Sequence, residues 1–251
     1  MFCLCACGVW CSHILLRLFA FVRVYSRTKV FLFSHFIAFT VIGILGGTFD
    51  PVHFGHLRPA LEVMQALALE QVRFIPNRVP PHRAQPWLGA ETRKALLQIA
   101  IENTAGFVLD GRELERAGPS YMVDTLVSLR ADFSDTPLCL VIGMDAFSGL
   151  PRWHRWQEIL QHCHLVVTSR PGFDWPQDPV LTALESRRVT SAAELHQAAS
   201  GKILLQSVTS LEISSSAIRR QFQAGQSIRY LLPDAVYETL LKLHNGEQPN
   251  T

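Results

Sequence analysis

The stretch "VIGILGGTFDPVHFGHL", residues 41–57, decides the fold. Its first seven residues are a continuous apolar run closed by Gly46 and Gly47, as a strand buried on both faces requires. Asp50-Pro51 breaks that pattern, because proline has no amide to give a strand ladder. Helical spacing follows. In "HLRPALEVMQALALE" Leu57, Leu61, Met64 and Ala68 recur on one side with charges between them, which predicts a helix of about four turns. The same alternation continues downstream. "QVRFIPN", "FVLDGREL", "PLCLVIG", "HLVVTSRP" and "GKILLQSV" read as further strands. Between and after them, "ETRKALLQIAIENTAG" reads as a helix ending on Gly106, and "PSYMVDTLVSLRADF" as a helix with Ser120 as N-cap. "WQEILQHC", "SSSAIRRQFQAG" and "PDAVYETLLKLH" read as three more. Strands alternating with helices imply an α/β fold with a mostly parallel sheet and helices on both faces. Residues 171–200 read as a surface insertion with a short helix.

Residues 1–39 differ in kind from this body. Residues 1–40 hold seven of the fifteen Phe, four of the six Cys and four basic residues (Arg17, Arg23, Arg27, Lys29) with no acid. Those charges interrupt every window long enough to span a membrane, so a single transmembrane helix is not expected. Neither a signal peptide nor paired C-x-x-C metal ligands are evident. Because no Met lies between Met1 and Met64, the expectation is that translation begins near Val41 and that residues 1–39 are a non-native or disordered extension. The working domain is then 40–246, with a tail at 247–251. Taking the four basic residues from 23 leaves 19 basic against 21 acidic ones, a net of −2. Such a body is no trap for nucleic acid, which needs clustered Lys and Arg. Small anionic ligands remain open to it. Cys139 and Cys163 read as buried small hydrophobes suited to a reducing cytoplasm.

In a sheet of this kind ligands sit beyond the carboxyl ends of the strands. Gly46 and Gly47 let the backbone turn and let a ligand approach. His53 and His56, three apart, project from one side of the first helical turn, where helix-start amides favour an anion. Phosphate binding, a zinc site lacking its further ligands, and simple helix capping all remain open for this pair. Ser214, Ser215 and Ser216 at a second helix start, with Arg219 one turn on, read as another anion clamp or as ordinary caps. Asp145, after the fourth strand, suits either a ribose or an N-cap. "PRWHRW" offers an aromatic platform for a flat ring in Trp153, while Trp156 reads as core. His82 and Arg83 read as phosphate contacts on a mobile loop or as a solvated pair.

Five segments in order, "GGTFDPVHFGHL", "PNRVPPHR", "PSYMVDTL", "GMDAFSGLPRWHRW" and "ISSSAIR", give the body its resemblance. It resembles the nucleotidyltransferases with the H-x-G-H motif, and within them the bacterial nicotinate-nucleotide adenylyltransferases, from about residue 41 to 245. The resemblance implies a Rossmann-like fold of nucleotidyltransferase type. It also implies adenylyl transfer from ATP to nicotinate mononucleotide in the cytoplasm, giving deamido-NAD and pyrophosphate. It assigns catalysis to His53 and His56. ATP would be held by Gly46, Gly47, Thr48, Phe49, His53, His56, Gly143, Asp145, Ile213, Ser214, Ser215, Ser216 and Arg219. Nicotinate mononucleotide would be held by Thr48, Phe49, His82, Met122, Trp153 and His154. Mg²⁺ would arrive on the ATP phosphates without a dedicated protein site. Relatives usually have threonine at Met122, and often threonine at Ser216 and an aromatic at His154. The runner-up readings are an adenylyltransferase for the amide or for pantetheine phosphate, and a nucleotide-binding regulator without turnover. A homo-oligomer is compatible with the sequence; membrane and nucleic-acid partners are not expected.

Overall fold

A computed structural model describes residues 40–79, 85–169 and 175–246. The expectations for residues 1–39, for the tail, and for His82 and Arg83 lie outside the described residues. Seven strands form one sheet: β1 Ile42–Gly47, β2 Gln71–Pro76, β3 Phe107–Leu109, β4 Leu138–Gly143, β5 His164–Ser169, β6 Arg188–Val189 and β7 Ile203–Ser207. Their order is β3-β2-β1-β4-β5-β7-β6 and every pairing is parallel. The chain thus winds outward from β1 to one edge, then returns to the far side of β1 as β4. That reversal leaves a crevice at the carboxyl ends of β1 and β4.

Helices follow as α1 Phe54–Ala66, α2 Ala90–Ile101, α3 Arg112–Glu115, α4 Met122–Asp132 and α5 Met144–Ser148. Then come α6 Trp156–His162, α7 Pro179–Ala183, α8 Ala192–Leu195, α9 Ser215–Gln223 and α10 Asp234–His244. The two-residue period of β4 sorts them into layers. Cys139 and Val141 join a core with Leu57, Val63, Leu97, Ile218 and Val236, under α1, α2, α9 and α10. Leu138, Leu140 and Ile142 join Leu126, Leu129, Ile159 and Leu160, under α4 and α6. Both faces are therefore covered, as a continuous apolar strand demands. Fully burying one such side chain contributes about 1.5–3 kcal/mol.

Several sequence expectations change. The buried stripe of α1 is Leu57, Ala60 and Val63, while Ala68 is exposed beyond the helix at φ 50°. Helix α2 stops at Ile101, short of Gly106, which takes φ 84° in the turn into β3. "FVLDGREL" is not one strand. Asp110 turns the chain by accepting the Arg112 amide at 3.2 Å, the side-chain-to-backbone turn that Asp favours, and α3 begins at once. Ser120 does not cap α4, whose N-cap is Tyr121; its hydroxyl instead accepts the Arg78 amide at 3.0 Å. The insertion contains β6 as well as short helices. Among the described residues no helix is long and apolar enough to cross a membrane.

Candidate active site

The β1–α1 connection is the centre of the site. Phe49 sits at φ 48°, a left-handed conformation costing a non-glycine residue about 1–2 kcal/mol. Its ring is 1% exposed and packs on Phe74, centroids 6.0 Å apart, which offsets that cost. Gly47 makes room, since a Cβ there would meet the Phe49 ring at 3.0 Å. The Asp50–Pro51 bond that follows is cis. His53 stands at the N-cap position of α1 but its side chain makes no capping hydrogen bond. Helix capping therefore does not explain it. Its ring stacks on His56 at 3.8 Å. Gly55 permits this approach: a Cβ would lie 2.9 Å from the His53 ring and 3.0 Å from the Ile213 carbonyl.

The two imidazoles differ in position. His56 is half-buried on the wall of a cavity, whereas His53 is 4% exposed behind it. The expectation that both rings lie open to one anion is corrected to one ring in front and one behind. Nδ1 of His53 is buried without a hydrogen-bond partner among the described residues. Burial lowers the His53 pKa to about 4, so at pH 7 it is a neutral ring. Its contribution to stability has a definite sign. Above the ordinary value of 6.5 both folded and unfolded chains carry it neutral. Between 6.5 and about 4 only the unfolded chain takes up the proton, which draws off about 3 kcal/mol of stability. Chemical denaturation at pH 7 and pH 4.5 should show this loss in the wild type and a shallower one in His53→Gln; equal slopes would remove the assignment.

Helix-start amides are less open than the sequence suggested. Phe54 donates to the Leu231 carbonyl at 3.1 Å, and His56 and Leu57 turn back to the His53 carbonyl at 2.9 and 3.3 Å. The serine-rich start of α9 packs against this same turn. Ser214 is a cap, accepting the Ala217 amide at 3.2 Å. Ser215 donates its hydroxyl to the Pro51 carbonyl at 3.0 Å. Arg219 donates to the Asp50 carbonyl at 2.7 Å and to its carboxylate at 3.3 Å. The two candidate anion clamps are thereby fastened to each other.

Beneath them lies a group the sequence did not mark. Arg93 is 1% exposed and donates to the carbonyls of Thr48 (2.7 Å), Asn77 (2.8 Å) and Leu88 (3.2 Å). Burial lowers its pKa and Asp50 opposes that. Asp50 in turn accepts the Trp87 and Leu88 amides at 2.8 and 2.9 Å. Three loops are pinned by one buried guanidinium and one buried carboxylate.

The cavity, about 800 Å³, opens at the crevice between β1 and β4. Gly46, Gly47, Thr48, Phe49, His56, Ser215 and Arg219 line it, as do Met122, Asp145, Trp153 and His154, with Met122 packed against Gly46. Gly143, Ile213, Ser214 and Ser216 are not on its wall. Asp145 is an exposed residue inside α5, whose N-cap is Gly143, so the capping alternative for Asp145 falls. Trp153 and Trp156 are both half-buried against the α4–α6 core. Sequence reasoning missed Asp50, Asn77, Glu113, Ser120, Tyr121 and Arg152 on the wall. Tyr121 stacks on His154 at 4.2 Å, and it lies within "PSYMVDTL", where that segment could have shown it. Among the described residues no group of three or more His, Cys, Asp or Glu could hold a metal ion. The zinc alternative for the histidine pair finds no further ligand there.

Known proteins bear on this geometry. The cytidylyltransferase-like family model matches residues 44–221. A protein of Methylococcus capsulatus named "Probable nicotinate-nucleotide adenylyltransferase" is 49% identical over 80% of this chain and 96% of its own length. One of the same name from Halorhodospira halophila is 48% identical over 80% of this chain and 93% of its own. Nicotinic acid mononucleotide adenylyltransferase of Plasmodium falciparum, solved with NaAD, superposes with a TM-score of 0.61. At 16% identity, covering 82% of this chain and 96% of that one, it speaks for the fold alone. The chain belongs to the cytidylyltransferase-like family and, within it, to the nicotinate-nucleotide adenylyltransferases.

Proposed function

We propose that this chain transfers the adenylyl group of ATP to nicotinate mononucleotide, releasing pyrophosphate and forming deamido-NAD. The observation that carries this reading is a single cavity joining two chemistries, with His56 and Arg219 as one and the Tyr121–His154 stack with Trp153 as the other. A triphosphate suits the first and a flat pyridine ring the second. In the reaction a phosphate oxygen of the mononucleotide attacks the α-phosphorus of ATP. The bond from that phosphorus to the bridging oxygen breaks, and pyrophosphate leaves. The attacking oxygen is already anionic and pyrophosphate leaves as a stable anion, so the chain supplies no nucleophile of its own. Its work is alignment and charge stabilisation.

His56 donates to the phosphates as charge moves onto pyrophosphate, and the neutral His53 stacked behind it holds that ring in place. Arg219, held by Asp50, adds positive charge beside them. Gly46 and Gly47 leave room for Met122 and for the Phe49 ring, and offer the substrates their backbone on the wall next to Thr48 and Phe49. Asp145 accepts from the adenosine ribose. Gly143, Ile213, Ser214 and Ser216, away from the wall, shape the backbone around the nucleotide. Trp153 takes the pyridine ring, and amides at Met122 and His154 take its carboxylate. Mg²⁺ arrives with the nucleotide, neutralising triphosphate charge. Asp50, a buried carboxylate on the wall, already accepts from Trp87, Leu88 and Arg219. We place the reaction in the cytoplasm. Cys139 and Cys163 are buried free thiols, and burial raises the Cys139 pKa to about 12, which keeps that thiol unreactive.

Pyrophosphate release measured with ATP, Mg²⁺ and each acceptor in turn tests this. Nicotinate mononucleotide should be the fastest acceptor, ahead of nicotinamide mononucleotide and pantetheine phosphate. Preference for either of those would move the substrate assignment. No pyrophosphate with any acceptor would replace an enzyme by a nucleotide-binding regulator.

A further inference from the structure

Among the described residues Glu113 is the one acidic side chain on the cavity wall whose place there follows from no motif. It is 3% exposed and it sits in α3, which exists only because the chain turns at Asp110. A buried carboxyl group needs hydrogen bonds, and those it makes are specific. Thr125 donates its hydroxyl to Glu113 at 2.5 Å, and the Ser120 hydroxyl bonds to it as well. Arg116 donates to Thr125 Oγ1 at 2.9 Å and reaches the Tyr121 carbonyl at 3.5 Å.

These contacts fall on both sides of one short piece of backbone. Ser120 precedes Tyr121 and Met122, and Thr125 follows them in the first turn of α4. Further bonds fasten the same piece to the exit of β2: Ser120 donates its amide to the Val79 carbonyl at 3.1 Å and accepts the Arg78 amide at 3.0 Å. Met122 is the first residue of α4, where an amide has no acceptor within the helix. Its direction is set by what holds residues 120 and 125.

We infer that Glu113 is a positioning and specificity-setting residue, its carboxyl group fixing, through Thr125 and Ser120, the Tyr121–Met122 backbone that meets the carboxylate of the pyridine substrate. The inference rests on the reading under Proposed function and names what determines acid over amide at that end. Burial raises the Glu113 pKa against the pull of Thr125, Ser120 and Arg116, with Asp110 adding to the rise.

Steady-state kinetics of Glu113→Gln, Thr125→Val and Thr125→Ser, beside the wild type, decide the matter. Glutamine keeps the size but has one acceptor oxygen where the carboxyl group has two, so Thr125 and Ser120 can no longer both donate to it. Glu113→Gln and Thr125→Val should raise KM for nicotinate mononucleotide about tenfold, and lower the preference over nicotinamide mononucleotide by a similar ratio. KM for ATP and kcat should hold within about twofold, and Thr125→Ser, which keeps the hydroxyl, should restore wild-type values. Equal changes in both KM values, or no change in the acid-to-amide ratio, would overturn the inference. If Glu113→Gln shows no melting transition, the Thr125→Val and Thr125→Ser pair decides, and identical behaviour of the two overturns it. Wild type without turnover would bring down the function itself; an active wild type with an unaltered ratio in the variants removes only the role of Glu113.

Discussion

Replacing His56 by alanine is expected to lower kcat for adenylyl transfer about 10²- to 10³-fold while leaving the melting temperature within a few degrees. The ring is half-buried on the cavity wall, stacked on His53 and edge-on to Phe49 at 5.1 Å. Removing it leaves space that opens to the cavity, so little packing is lost. What disappears is a donor aimed in advance at oxygens that gain charge only as pyrophosphate departs. Such a donor is worth about 2.7–4 kcal/mol in the transition state and little before it. The loss should therefore fall on kcat rather than on KM for ATP. His53→Ala, which removes the buried ring that His56 stacks on, should reduce kcat through the loosened His56 and lower the melting temperature as well. Pyrophosphate-release kinetics with a thermal melt of each variant provide the check. An alanine variant within a few-fold of wild type removes that residue from the role.

Arg93→Met should have the largest effect on stability, on the order of 4 kcal/mol, measured by chemical denaturation. Methionine fills much of the volume but donates nothing. The carbonyls of Thr48, Asn77 and Leu88 lose a buried donor together, and Asp50 loses a nearby positive charge. Each buried acceptor left unmade costs about 1–3 kcal/mol, partly relieved as loops relax toward water. Activity should fall too, because Thr48 and Asn77 are on the cavity wall. Arg93→Lys should rescue little, since one ammonium on a flexible stem cannot reproduce the planar fork that spans three loops. A lysine variant as stable as wild type would mean that charge alone is what matters there.

How far the sequence could be read follows from which interactions are local. The run at 42–47 can only be a strand buried on both faces, and the helical spacing after it follows within one turn. Sheet, layers and the position of the crevice come from such short-range signals. Asp110 shows where they mislead: apolar residues precede it and Leu114 follows, yet one Asp side chain turning onto the Arg112 amide ends the strand. The two residues of β6 are too few for any period to show. His53 and His56 were legible as a pair, but which ring stands in front depends on Phe49 and on the Ile213 carbonyl packed over Gly55. Ser120 looked like a cap because its competing partners, Arg78 and Glu113, lie elsewhere in the chain. Arg93 and Glu113 carry no motif at all. Each takes its meaning from loops that only the finished sheet brings side by side.

The fastening of Arg219 to Asp50 and of Ser215 to Pro51 joins positions 169 and 164 residues apart. A ribosome reading this message makes the glycine turn early and its counterpart near the end. For most of synthesis the emerging polypeptide holds only the first of the two segments that fasten to each other. Closing so distant a pair is slow compared with forming neighbouring turns. On the proposed function, nucleotide capture should accordingly arise late, once α9 has docked on the glycine turn.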